Sequence, residues 1–153
     1  MKIIDLLDTS RVSPFLAATD KKGVIEELAD TLVRGSDTLD RNLVVKVLME
    51  RENLGSTGIG DNIAIPHGKL PDLKKLVLCF GRSLAGVNFD SMDGKPTHLF
   101  FLLMAPEESI GLHLKALAKI SRMLKDSSFR RNLMEAADAD EILRLIAAED
   151  AKC

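Results

Sequence analysis

Apolar residues recur at helical spacing in two stretches of the first third of the chain. From Gly23 to Arg34 (GVIEELADTLVR) they fall about one turn apart and form a single stripe, which ends near Gly35. The same period returns from Arg41 to Arg51 (RNLVVKVLMER), where Asp40 is a candidate N-cap. The pattern predicts two amphipathic helices, and the second places Arg51 at its C-terminal end.

Shorter apolar runs follow in the middle of the chain. Residues 62–66 form a β-branched run closed by Pro66, which is typical of an edge strand or a strand end. The runs Leu76–Phe80 (LVLCF) and His98–Met104 (HLFFLLM) are continuously apolar, as central strands covered on both faces are. The segment DSMDGKP between them has the glycine and proline of a turn.

Helical spacing returns in the last third. It predicts a long helix over Ser109–Lys125 and a final helix over Ala139–Ala148 (ADEILRLIAA). Helices on both sides of a few buried strands predict a three-layer α/β domain. A length of 153 residues without an internal repeat or linker predicts one domain over 1–153.

Composition excludes several functional classes. The chain has 21 basic and 23 acidic residues, without the basic excess of a nucleic-acid-binding protein, and no Trp or Tyr for base stacking. Asp5 interrupts the N-terminus before the ~7 apolar residues of a signal peptide, and no run approaches the ~18 of a membrane span. Cys79 and Cys153 lack CxxC spacing and predict a buried thiol and a tail thiol. We expect a cytoplasmic protein without nucleic-acid or membrane partners.

A glycine-rich loop opens the segment GSTGIGDNIAIPHGK, residues 55–69. Its glycines permit close approach to an anion and its hydroxyls add donors. The candidate phosphate-binding residues are Gly55, Ser56, Thr57, Gly58 and Gly60. Neither the Walker loop nor the dinucleotide fingerprint matches, because Asp61 and Asn62 follow Gly60 and no helix opens there. On these residues alone the loop is either a turn or a phosphate site.

The histidines and Arg51 supply the candidate chemistry. His67 lies between Pro66 and Gly68; one ring nitrogen of a neutral imidazole can attack phosphorus while a backbone carbonyl holds the other. His113 has apolar residues at i+4, i+7 and i+11, so it is either a core histidine or a partner imidazole. Arg51 could bind a phosphoryl group with its planar guanidinium, or it could simply stabilise the C-terminal end of its helix through the helix dipole. His98 opens a buried strand and is predicted to be structural, and the three spacings match no metal site.

The segment RENLGSTGIGDNIAIPHGK, Arg51–Lys69, resembles the active site of phosphotransferase-system IIA domains of the fructose/mannitol family, most closely the nitrogen-regulatory IIA proteins. The resemblance extends over nearly the whole chain. It implies an α/β/α sandwich with a small mixed sheet. It also implies a phosphorelay from phosphoenolpyruvate through enzyme I and an HPr-like carrier. His67 would be the phosphoryl acceptor, His113 the second active-site histidine and Arg51 the phosphoryl contact, without metal or cofactor.

The resemblance leaves two roles open. One is a regulator of nitrogen, potassium and carbon metabolism whose phosphorylation state is detected by regulatory partners. The other is a free-standing sugar IIA that passes its phosphoryl group to a IIB domain. The expected lack of a membrane segment or second domain fits a free regulator better than a fused sugar permease, but some sugar IIA proteins are also free-standing. Whether such a phosphocarrier counts as an enzyme is also open. A carrier would dock on an apolar patch for which the candidates, otherwise core residues, are Ile59, Ile63 and Ile65.

One departure from the expected pattern stands close to the histidine. Asp61 replaces the Asn, and Asn62 the Gly, of the expected GIGNG sequence. The effect of the added negative charge on a phosphohistidine depends on geometry.

Overall fold

The computed structural model describes residues 1–109 and 111–153. The helices are α1 (Lys21–Val33), α2 (Arg41–Leu54), α3 (Leu112–Met123), α4 (Ser127–Glu135) and α5 (Ala139–Lys152). The strands are β1 (Val12–Ser13), β2 (Gly58–Gly60), β3 (Ile63–Ala64), β4 (His67–Leu70), β5 (Val77–Val87) and β6 (Thr97–Pro106). Two short 3-10 turns, Ile3–Leu6 and Thr9–Arg11, precede β1.

The strands form one mixed sheet in the order β1-β5-β6-β3-β2. The central pair, β5 and β6, is antiparallel, whereas β3 and β4 both run parallel to β6. These two short strands lie one after the other along the same edge of β6: Ile63 is opposite Leu99, and His67 is opposite Leu103. The chain from residue 63 to residue 70 therefore follows a buried strand and carries His67 to the carboxyl half of β6.

Two apolar clusters cover the two faces of the sheet. The first lies between the sheet and α1 and α2, and the second between the sheet and α3, α4 and α5. Alternate residues of β5 and β6 enter opposite clusters: Phe80 and Phe101 pack edge to face in one, while Phe100 packs against Phe89 in the other. This confirms the α/β/α sandwich with a mixed central sheet.

Aspartate N-caps explain where most helices begin. Asp40 accepts hydrogen bonds from the backbone N–H groups of Asn42 (3.0 Å) and Leu43 (3.3 Å), which confirms the predicted cap. Asp20, Asp126 and Asp138 cap α1, α4 and α5 in the same way. Because the cap of α1 is Asp20, this helix begins two residues before the predicted start at Gly23.

Several predicted boundaries need correction. Residues 62–66 are not one strand: only Ile63 and Ala64 pair with β6, and a new strand begins at His67 itself. The strand predicted over 76–80 continues to Val87. The long helix predicted from Ser109 begins at Leu112, and residue 110 of that prediction lies outside the described residues. Helix α4 was not predicted.

Two predictions about the whole chain can be compared with the structure. Cys79 is buried and Cys153 is exposed, and both are free thiols, as predicted. Within the described residues, no helix combines the length and apolar character needed to cross a membrane.

Candidate functional site

The ring of His67 is held by the backbone just before it. His67 Nδ1 lies 2.8 Å from the carbonyl oxygen of Ile65. A carbonyl can only accept, so Nδ1 carries the proton and donates it, and Nε2 keeps the lone pair. Pro66 supports this turn because its own carbonyl accepts a hydrogen bond from the Leu103 N–H at 3.0 Å. The ring-to-carbonyl bond expected for a nucleophilic histidine is therefore present.

Gly68 allows α2 to pack directly on β4. A Cβ atom at this position would lie 2.6 Å from Val47 Cγ1 and 3.3 Å from Met104 Cε. Any side chain there would push α2 outward, because interiors are close-packed. The glycine thus brings the C-terminal turn of α2, which carries Arg51, to the strand that carries His67.

His67 lies on a cavity of about 200 Å³. Three parts of the chain form its wall: the end of α2 with the glycine loop, the turn before β4, and the middle of α3. The lining residues are Arg51, Ser56, Thr57, Ile59, Ile65, His67, Leu117 and Ser121. The structure therefore brings together the predicted acceptor, the predicted arginine and two of the predicted loop residues.

Arg51 reaches over the end of its own helix into this cavity. Its Nη1 donates to the carbonyl oxygen of Gly55 at 2.9 Å. A guanidinium has five N–H donors, so others remain for an anion in the cavity. The two interpretations of Arg51 are compatible, because it satisfies a backbone carbonyl at a helix end while lining the cavity beside His67.

The hydroxyl groups of the glycine loop are committed within the protein. Ser56 Oγ donates to the carbonyl oxygen of Phe89 (2.7 Å) and accepts from the Gly58 N–H (3.0 Å). Thr57 Oγ1 donates to the carboxylate of Glu52, and the Thr57 N–H donates to the same carboxylate at 3.1 Å. These bonds hold the loop in shape as one wall of the cavity.

The glycines of this loop meet different constraints. Gly55 and Gly60 have φ of +152° and +92°, a region that side chains disfavour. At Gly58 the constraint is space, because a Cβ would lie 3.1 Å from the Cα of Ser91. The loop is therefore compact, and its predicted role in binding phosphate remains a prediction.

His113 lies in the first turn of α3 and is half-buried. Its Nδ1 is 3.4 Å from the carbonyl oxygen of Ser109. Leu117 and Ser121, one and two turns further along α3, line the His67 cavity, whereas His113 is not among the lining residues. Its role as the second active-site histidine remains a prediction. The helical spacing from His113 places Leu117 one turn further along the same face, but neither Leu117 nor Ser121 was predicted to be a site residue.

His98 behaves as a structural histidine in the described fold. Its Nδ1 lies 2.8 Å from the carbonyl oxygen of Ser83 on the neighbouring strand. Within residues 1–109 and 111–153, no group of three or more His, Cys, Asp or Glu residues is arranged to hold a metal ion.

Asp61 is not among the residues that line the His67 cavity. Asp61 and Asn62 form the turn between β2 and β3 with φ of +54° and +69°, a conformation that Asp and Asn tolerate. The Asp61 N–H donates to Asp93 Oδ2 at 3.3 Å, and the residue borders a second cavity together with Arg130 and Arg131. The added negative charge therefore has two arginines near it.

The three isoleucines of the predicted apolar patch have different environments. Ile59 is 45% exposed and lines the His67 cavity. Ile65 is buried but also lines the cavity, whereas Ile63 packs in the core on the α3 side of the sheet. Only Ile59 offers substantial surface to a docking protein. Ile65 contributes to the cavity wall, and Ile63, which is buried and does not line the cavity, does not belong to the patch.

Comparison with known proteins gives the class to which this fold and site belong. The family described as "Phosphoenolpyruvate-dependent sugar phosphotransferase system, EIIA 2" matches residues 5–149. The chain belongs to this family. The predicted resemblance to phosphotransferase-system IIA domains is thereby confirmed.

The relatives of this chain within the family include nitrogen regulatory proteins and a fructose-specific component. The chain is 42% identical over 147 residues to a nitrogen regulatory protein of Bradyrhizobium diazoefficiens, a match that covers 96% of this chain and 95% of that protein. It is 36% identical over 150 residues to the PTS system fructose-specific EIIABC component of Bacillus subtilis, covering 98% of this chain but 24% of that protein. The crystal structure of Nitrogen Regulatory Protein IIA-Ntr from Neisseria meningitidis matches with a TM-score of 0.87 and 36% identity, covering 94% of this chain and 98% of that one.

Proposed function

We propose that the protein is the phosphoryl-accepting IIA component of a phosphoenolpyruvate-dependent relay, in which an HPr-like carrier passes the group to His67. The observation that carries this proposal is the state of the His67 ring. Its Nδ1 proton is held by Ile65, its Nε2 keeps a lone pair, and the ring borders a cavity shared with Arg51. Family membership supports the same chemistry.

The transfer needs no proton movement at the attacking nitrogen. The Nε2 lone pair of His67 forms a bond to phosphorus as the bond between phosphorus and the carrier's histidine nitrogen breaks, and that nitrogen keeps the electron pair. The ring proton stays on Nδ1 and is donated to the carbonyl oxygen of Ile65, whose partial negative charge stabilises the positive charge that develops on the ring. Arg51 stabilises the equatorial oxygens of the group in transit. The chain contributes position and charge.

The cellular role that we infer is regulatory. Phosphorylation places a group of about −2 charge on the surface around His67. Partner proteins of nitrogen, potassium or carbon metabolism that bind this surface in one state would be released or recruited in the other. The support is the 42% identity, over nearly the full length of both chains, with a nitrogen regulatory protein.

A sugar-uptake role is the second candidate. Its support is the 36% identity with a fructose-specific EIIABC component. In this role the phosphoryl group of His67 would pass on to a IIB domain. The chemistry at His67 is the same in both roles, so only the acceptor distinguishes them.

The experiment supplies labelled phosphoenolpyruvate, enzyme I and an HPr-like carrier to the wild-type protein, to His67→Ala and to His113→Ala. We expect acid-labile, base-stable label on the wild type and none on His67→Ala. Undiminished label on His67→Ala would contradict the proposal. Adding a purified fructose-type IIB domain separates the two roles: rapid loss of label to IIB supports sugar uptake, and retention supports the regulator.

A further inference from the structure

Glu52 is a buried carboxylate immediately after Arg51. Its side chain is 1% exposed at the C-terminal turn of α2. One oxygen accepts the Thr57 N–H at 3.1 Å, and the other accepts the Thr57 hydroxyl. A carboxylate is rarely buried without a specific partner, because removing its charge from water is costly. Here the bonds link the helix that carries Arg51 to the loop that lines the cavity.

Lys21 supplies the positive charge opposite Glu52. This first residue of α1 places its Nζ 3.1 Å from Glu52 Oε1 and 3.4 Å from Asp90 Oδ2. The same ammonium lies 4.8 Å from the centre of the Phe89 ring, a favourable cation–π position. Lys21 therefore joins α1, the end of α2 and the segment around residue 89.

The Lys21–Glu52 pair supports the wall of the cavity from behind. Thr57, bound to Glu52, lines the cavity with His67. Ser56, the next lining residue, is bound to the backbone of Phe89, whose ring Lys21 covers. The side-chain bonds of Ser56 and Thr57 thus both go to residues that Lys21 contacts. The Thr57 carbonyl oxygen also accepts a hydrogen bond from the Ile65 N–H at 3.1 Å, which joins the loop to the turn before His67. A shift in the pair would move the wall against which a phosphoryl group must fit.

We propose that Glu52 and Lys21 are positioning residues for phosphoryl transfer: Glu52 fixes the Thr57 wall beside His67, and Lys21 cancels the Glu52 charge behind it. The inference rests on the proposed function. The incoming phosphoryl group is anionic, and an unpaired buried carboxylate behind the loop would repel it. Fixed, neutralised surroundings are what electrostatic stabilisation of a transfer requires.

The two contributions can be separated by substitution. Glu52→Gln keeps an oxygen for Thr57 but removes the charge, whereas Glu52→Ala removes both. Lys21→Met keeps the aliphatic stem and leaves Glu52 without its ammonium partner. The double variant Lys21→Met/Glu52→Gln removes both charges and keeps an amide oxygen that accepts the Thr57 N–H, while its NH2 can donate to the Thr57 hydroxyl. Lys22→Met is the matched control, since Lys22 carries the same charge one residue further on and is exposed.

The experiment measures kcat and KM for transfer of label from the phosphorylated HPr-like carrier to His67, with a urea unfolding curve for each variant. We expect kcat to fall about tenfold in Lys21→Met and in Glu52→Ala, with KM for the carrier little changed. Glu52→Gln, the double variant and Lys22→Met should stay within about threefold of wild type. If the Lys21–Glu52 pair were merely structural, kcat would fall in step with the urea midpoint from one variant to the next.

The outcomes distinguish this inference from the function on which it rests. No label on the wild type would overturn the proposed function and this assignment with it. If the wild type is labelled but the double variant is as slow as Lys21→Met, the proposed function stands. Only the proposal that Lys21 cancels the Glu52 charge is then overturned. Equal rates for Glu52→Ala and Glu52→Gln would overturn the positioning role of Glu52.

Discussion

The imidazole of His67 donates its Nδ1 proton to the carbonyl oxygen of Ile65, two residues earlier, at 2.8 Å. The intervening Pro66 fixes the φ of the turn, and β4 anchors His67 beside β6. One hydrogen bond thereby sets both the tautomer and the direction in which the lone pair of Nε2 is available. The cavity with Arg51 lies beside this ring.

Replacing Arg51 should slow phosphoryl transfer without unfolding the protein. Arg51→Gln removes the guanidinium from the cavity, and we expect the transfer rate to fall on the order of 10- to 100-fold. The residue is half-buried at a helix end, so the free energy of unfolding should change by about 1 kcal/mol or less. Labelling kinetics and urea unfolding measure the two effects. Arg122→Gln, an exposed arginine on α3, should leave the rate unchanged; equal losses in both variants would contradict a specific contact.

Gly68→Ala should destabilise the fold through one contact. The new Cβ would lie 2.6 Å from Val47 Cγ1, and overpacking of this kind costs about 1–3 kcal/mol. Because the contact involves a single methyl group, Val47→Ala in the same chain should restore part of the loss. Urea unfolding of the two single variants and the double variant gives the coupling. Strictly additive effects would show that α2 does not rest on Gly68.

Asp150 should make stability depend on acid pH. It is fully buried; burial alone raises its pKa, but the Lys119 ammonium at 2.6 Å and the Ile4 N–H at 3.0 Å outweigh this effect and hold the pKa below its ordinary value. A depressed pKa contributes stability above the unfolded pKa of about 4, and this contribution is lost as pH falls through the folded value.

Asp150→Asn provides the test of this dependence. We expect a loss of roughly 3–5 kcal/mol at pH 7, because the buried Lys119 ammonium loses the negative charge beside it and keeps only uncharged acceptors such as the Met1 carbonyl oxygen. The variant should then lose less stability than the wild type as the pH falls below the unfolded pKa of about 4. Asp37→Asn, at an exposed position, is the control. Parallel pH profiles for the wild type and Asp150→Asn would contradict the assigned pKa.

The part of the site that could be predicted is the part that is contiguous in sequence. Arg51, the glycine loop and His67 fall within one segment, so local chemistry made them candidates and the family resemblance selected them. Leu117 and Ser121 enter the cavity only because α3 packs on the sheet near β4, which no local pattern encodes. Glu52 sits at a polar position of a helical pattern, and its burial depends on Lys21, 31 residues earlier.

The elements of the fold were likewise predicted where the local pattern was strong and missed where it was short or interrupted. The continuously apolar strands β5 and β6 were predicted because burial on both faces leaves no polar alternation. Helix α4 was missed because it is short: its buried residues, Phe129 and Leu133, are four positions apart, but the apolar stripe spans only about one turn of a nine-residue helix. The start of β4 was missed because Pro66 ends the apolar pattern although the chain continues along β6.

The atom to which the phosphoryl group becomes attached tests phosphoryl transfer to His67 most directly. The protein is phosphorylated through enzyme I and the HPr-like carrier with its histidines labelled with ¹⁵N, and NMR at alkaline pH identifies the bonded nitrogen. We expect a single phosphoryl group on Nε2 of His67, because Nδ1 is occupied by its bond to the Ile65 carbonyl oxygen. A phosphoryl group on Nδ1 of His67, or on any residue other than His67, would contradict this expectation.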